Sequence, residues 1–199
     1  MRKLTHLFTA AAFYAVAATA ACAATFDLTD AARYSMNSFT MAGDDGLTMT
    51  VSGGDYDGAA RSVSAHKDFG LSVGDVYIDT NEFALFEFSR KVNLTSFMAG
   101  FVDSTDGYRV YALVGGLYEM IASGDFGVSN LLGKNTDRAT VTLGDTVAST
   151  AFAIGVANWW DEFKVRSVSV DPVSEVPLPA GGVLLLSALG LVAVKRRKA

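Results

Sequence analysis

The chain has 199 residues, half of them hydrophobic and 19% charged, a profile that fits one folded domain with processing segments and excludes a disordered chain. All 21 acidic residues lie between Asp27 and Glu175, whereas six of the 16 basic ones stand in the two terminal stretches. The intervening region sets ten basic against 21 acidic residues, a net charge of −11; a surface of that sign repels nucleic acid and anionic headgroups, which argues against nucleic-acid binding.

Arg2 and Lys3 precede a run of mostly apolar and small residues from Leu4 to Ala21, and Ala21 with Ala23 supplies the A-x-A spacing cut by signal peptidases. Residues 1–23 are therefore expected to be an export signal, cleaved after Ala23 or, as the neighbouring alternative, after Ala24. Cys22 is the only cysteine. A lipid-attachment site would use it, but "TAAC" lacks the leucine that usually heads such a box. Cleavage after Ala23 leaves a mature chain with no disulfide, thiolate nucleophile or cysteine–zinc site.

Beyond the signal, "DLTDAARYS" predicts a short helix or a turn capped by Asp27 or Thr29. From there the hydrophobic period is two. "GLTMTVSG" sets Leu47, Met49 and Val51 on one face against Thr48 and Thr50. Strands are also predicted at "SVSAH", "EFALFEFS", "VNLTSFMAGFV", "LYEMIAS", "ATVTLG" and "STAFAIGVA", rich in Val, Thr, Phe and Tyr. In "GYRVYALV", Tyr108, Val110 and Ala112 alternate with Arg109, Tyr111 and Leu113. "EFKVRSVSV" sets Phe163, Val165 and Val168 among Lys164, Arg166, Ser167 and Ser169, with a phase slip near Arg166 that could be a bulge. Turn clusters such as "GGDYDG", "DSTDG" and "GKNTD" separate these runs. The expected fold over residues 24–171 is all-β, an antiparallel β-sandwich of jelly-roll-like kind. Pro172, Pro177 and Pro179 disfavour further helix or central strand, so the domain should end near Val170, with residues 172–180 as a linker.

The residue inventory is poor in catalytic groups. His66 is the only histidine left after removal of the signal, too few for a histidine zinc site and without a nucleophile elbow to serve. Sixteen aspartates and five glutamates make some carboxylate pair inevitable, so a glycosidase pair cannot be singled out. The expectation is a protein that is not an enzyme. Calcium takes six to eight oxygens from carboxylates and carbonyls, and the loops bearing Asp55 and Asp57, Asp103 and Asp106, and "GDVYIDTNE" could furnish them; the alternative is solvated turn aspartates. "NWWDEF" is the other candidate site: Trp159 or Trp160 could offer an indole platform to a sugar ring beside the Asp161 carboxylate, or one indole could cap the end of the sandwich.

The last 24 residues read "VPLPAGGVLLLSALGLVAVKRRKA". Residues 181–194 are uncharged and expected to form a transmembrane helix, somewhat short for about 30 Å of hydrocarbon. Lys195, Arg196, Arg197 and Lys198 make a basic stop that sets residues 195–199 in the cytoplasm by the positive-inside rule. A Pro-containing motif, a brief apolar helix and a terminal basic cluster, in that order, resemble the PEP-CTERM family of bacterial sorting signals. Val176, Pro177, Leu178, Pro179 and Ala180 match its VPLPA-CTERM variant; Pro-Glu-Pro itself is absent. The stretch from "GLSVGDVYIDTNE" to "DSTDGYRVYAL" is also similar to sandwich-type surface proteins that depend on an exosortase. The resemblance implies an exported substrate of an exosortase-type enzyme, anchored in the inner membrane until processed and then passed to the cell surface, the biofilm matrix or extracellular polysaccharide. The competing expectation is a carbohydrate-binding module of the cell surface, possible with or without calcium.

Overall fold

The computed structural model describes residues 23–30, 32–43, 46–127, 137–144 and 146–173. Residues 1–22, which carry nearly all of the expected signal, and residues 174–199, on which the expected sorting motif, transmembrane helix and basic stop fall, lie outside the described residues. Thirteen strands follow in chain order: β1 (Ala24–Asp27), β2 (Arg33–Met36), β3 (Ser38–Ala42), β4 (Thr48–Asp55), β5 (Ala60–Arg61), β6 (Val63–His66), β7 (Gly70–Val73), β8 (Glu82–Val102), β9 (Gly107–Val114), β10 (Leu117–Asp125), β11 (Asp137–Thr142), β12 (Ser149–Val156) and β13 (Lys164–Pro172). Their pairings are all antiparallel. No α-helix occurs among the described residues. The expectation of an antiparallel all-β domain holds.

The 21-residue β8 organises the rest. Residues 82–88 pair with β4 on one side, and most of them with β12 on the other. Residues 92–100 pair with β13, and 96–102 with β11. Between the halves, Ser89, Arg90 and Lys91 are all exposed, and the strand passes from one layer into the next there. The first layer runs β4, β8, β12, β9, β10, with β3 and β5 on the outer side of β4; the second runs β11, β8, β13, β7, β6, β2, with β1 also against β13. Two strands predicted as "EFALFEFS" and "VNLTSFMAGFV" are thus one. The exposed polar triplet reads locally as a turn, yet it turns a corner between layers without breaking the strand.

Alternation along β1 and the first part of β4 sends one row inward, whereas β7 and most of β12 are buried on both faces. Leu47, Met49 and Val51 are fully buried, as are Val110 and Ala112, which matches the grouping expected of those segments. Phe163, Val165 and Val168 are also fully buried, but Lys164 and Arg166 between them are nearly so, and the start of β13 is covered on both faces. Phe26 meets Phe88 edge-on at 5.9 Å between ring centroids, and Phe97 in the second half of β8 meets Tyr108 of β9 at 5.4 Å. These contacts join the two layers, and each fully buried large side chain contributes about 1.5–3 kcal/mol. Gly53 of β4 lets the layers approach closely: a Cβ there would sit 2.7 Å from the Val73 side chain on β7.

The expected bulge near Arg166 is present as a register shift between Val165 and Ser167. One expectation is narrowed and another changes. Of the helix or turn expected in "DLTDAARYS", the segment makes the turn, at residues 28–30, and then β2. Asp27 Oδ1 accepts bonds from Thr29 N and Oγ1 at 2.8 and 2.6 Å, so the side chain closes an Asx-type turn, while Leu28 N donates to Arg166 O at 2.9 Å and holds the turn on β13. The last strand also outruns Val170: Pro172 pairs with Val92, and Val173 N donates to Lys91 O at 3.1 Å. Since Val173 N points at β8, the ring nitrogen of Pro172 faces away from it, past the end of β1, where a missing N–H costs the sheet no hydrogen bond.

Candidate functional site

The connection from β12 to β13 carries the most unusual surface of the domain. Asn158 N and Nδ2 both donate to Asp161 Oδ2, at 2.8 and 3.2 Å, and Asp161 N returns a bond to Asn158 O at 3.2 Å. This closed turn leaves Trp159 and Trp160 as its two central residues. Their side chains are 70% and 59% exposed, with ring centroids 5.2 Å apart at 75°. Thr80 Oγ1 donates to Trp159 O at 2.7 Å and pins the turn to the loop before β8. Neither indole caps the sandwich; both face outward, because turn geometry rather than strand alternation directs them.

Asp161 behaves otherwise than a surface acceptor. It is 1% exposed and commits Oδ2 to Asn158, while its buried Oδ1 has no hydrogen-bond partner. It shapes the turn from beneath and is not presented beside the indoles. Under it, Asp106 is equally buried: Oδ1 accepts from Glu162 N at 3.1 Å and Oδ2 from Asp103 N at 2.7 Å. Burial, with further repulsion from Asp103 and Asp161, pushes the Asp106 carboxyl up to about 6. Asp103 accepts from Thr105 Oγ1 and N, both at 2.7 Å, and from Asp106 N at 3.2 Å; the Thr105 bonds keep its pKa below the ordinary aspartate value. Asp106 therefore ties the 103–106 turn to the turn that bears the tryptophans.

The remaining carboxylates are distributed as follows. Asp55 accepts from Ala59 N at 2.8 Å and pairs with Arg61 at 2.9 Å; the Ala59 bond, aided by Arg61, keeps it low. Asp57 lies exposed on the adjoining turn. In "GDVYIDTNE", Glu82 is buried at the start of β8, receives Asp79 N at 3.4 Å on Oε2, and rises to about 7 through burial, with Asp79 and Asp75 adding to it. Gly74, at φ +65°, leaves the room that Glu82 Oε1 occupies. Among the described residues no three carboxylate or imidazole side chains gather closely enough to hold a metal ion. His66 stacks edge-on against Tyr34 at 5.1 Å, and burial lowers its pKa.

A second aromatic group escaped the sequence reading. Tyr56, 42% exposed, lies 5.6 Å from Phe83 and 6.0 Å from Tyr111 across the outer face of the first layer, over Gly155. Its members come from three separate segments, so only the pairing of β4, β8, β12 and β9 reveals it.

No family model matches the chain, and no curated protein matches it. Among solved structures, it is similar to the family 32 CBM from C. perfringens NanJ in complex with galactose, at 11% identity, covering 75% of this chain and 98% of that one, with a TM-score of 0.34. A likeness of that size says nothing of this chain's ligand.

Proposed function

We propose that this is an exported, non-enzymatic protein of the cell surface or extracellular matrix whose folded domain binds glycan through Trp159 and Trp160. The observation that carries the binding reading is the pair of exposed indoles on a turn closed by Asn158 and Asp161 and pinned by Thr80. Large apolar rings are costly to leave in water, and a sugar's C–H face covers an indole while its hydroxyls stay hydrated. Delivery rests on the two ends of the sequence. The export signal is supported by the position of β1, which opens at Ala24 immediately after the expected cut. The tail, from Val176–Ala180 to Lys195–Lys198, would be read by an exosortase-type membrane enzyme, its apolar run serving as an anchor until processing.

A glycan array probed with the purified chain, with and without calcium, tests the binding. Signal that disappears in Trp159→Ala and Trp160→Ala supports the reading; silence under both conditions removes it. Mass spectrometry of the C-terminus, from native cells and from cells lacking the sorting enzyme, tests the delivery. An intact "KRRKA" on extracellular protein would sink that half, whatever the array shows.

A further inference from the structure

Sheet edges are sticky because each exposes a row of unpaired N–H and C=O groups, and natural proteins shorten, charge or cover them. Most edges here are so treated. β1 has four residues, β2 four and β5 two. Within β2, Ser35 stands at φ 50°, and only Arg33 and Met36 pair with β6. The five-residue β3 is covered by Arg33, whose guanidinium lies 4.7 Å over Phe39 and donates to Thr40 O at 3.1 Å. The six-residue β11 carries Arg138 and starts with a register shift.

β10 is different. It has nine residues, "LYEMIASGD", with no Lys, Arg, His or Pro, and it pairs only with β9 among the described residues. Leu117, Tyr118 and Met120 are 72%, 46% and 57% exposed. Its one irregularity, a bulge between Met120 and Ala122, leaves four paired residues on either side. The order of side chains is telling. Large ones (Leu117, Tyr118, Met120) come first and small ones (Ala122, Ser123, Gly124) last. About an axis at Ile121, an antiparallel copy of the same strand would set Tyr118 against Gly124, Met120 against Ala122 and Glu119 against Ser123, with Ile121 against its own copy. A parallel copy would stack Glu119 on itself, a like-charge contact that disfavours it.

We propose that β10 is the docking edge for a second copy of this chain, paired antiparallel about a two-fold axis near Ile121 so that the first layers of both copies join into one sheet. Such a contact is self-complementary and closes at the dimer. It stands independently of glycan binding.

The test is sedimentation of the full chain in mild detergent over a range of concentrations and salt. The expected result is a reversible dimer that tightens with added salt, since salt screens the mutual repulsion of two acidic domains. Met120→Lys and Tyr118→Lys, both at exposed positions, should weaken it about tenfold or more while circular dichroism and thermal unfolding stay unchanged. In a Cys22→Ala background, the pair Glu119→Cys and Ser123→Cys lies about 13 Å apart within one strand. That is too far for an internal disulfide, so oxidation should give a covalent dimer. A folded chain that remains monomeric overturns the proposal. So does a dimer that survives both lysine variants and fails to cross-link, the result expected if the apolar tail held the copies together.

Discussion

At the scale of single residues, two buried acids set a pH dependence. Glu82 sits at about 7 against an ordinary 4.5, and Asp106 at about 6 against 3.8. An acid whose folded pKa is raised binds more protons folded than unfolded, so stability falls as pH rises through the interval between the two values. The melting temperature should therefore drop between about pH 4 and about pH 7, and Glu82→Gln should flatten that slope in thermal scans buffered across the range. Asp55 and Asp103, whose values are lowered, act in the opposite sense, their stabilisation being lost only as pH falls below the ordinary aspartate value. The tryptophans call for a different readout. Because both are exposed, Trp159→Ala and Trp160→Ala should change stability by no more than about 0.5 kcal/mol, with the loss confined to glycan binding. Asp161→Ala should cost about 1–2 kcal/mol by opening the turn, and should weaken binding indirectly by freeing the indoles, a pairing of effects that denaturant titration and array measurements would separate.

At the scale of elements, the layers are joined by aromatic contacts around β8. Phe88 touches Phe26 at 5.9 Å and Phe152 at 6.2 Å, and Phe152 is fully buried. Phe152→Ala should cost about 3–5 kcal/mol in urea unfolding, the loss of a large core side chain plus the cavity left behind. The inward rows of β4 and β9, and the bulge at Arg166, could be read from the sequence because period two leaves a direct imprint wherever one face is buried; the burial of Lys164 and Arg166 could not. The short strands could not: β1, β2, β3, β5 and β7 run two to five residues, fewer than a period needs to declare itself. Neither could the unity of β8, since Ser89, Arg90 and Lys91 look the same in a turn as at an exposed corner. In the candidate site the tryptophans were legible as residues out of place. The roles of Asp106 and Asp161 were not, because a turn aspartate and a buried one share a local sequence and differ only in what the fold lays over them.

At the scale of the whole domain, β8 contributes to both layers, so neither can come apart while the other stays intact. Unfolding should be a single cooperative transition, with tryptophan fluorescence, reporting the exposed turn, and far-ultraviolet circular dichroism, reporting the sheets, following coincident curves; separated midpoints would contradict this. The pairing of β1 with β13 has a further consequence. Ala24 lies opposite Val170, so the chain enters and leaves the domain at the same end. The tryptophan turn leads into the opposite end of β13, and nine residues of strand span about 30 Å. The two indoles are thus separated by the full length of β13 from the point where the chain leaves the strand at Pro172.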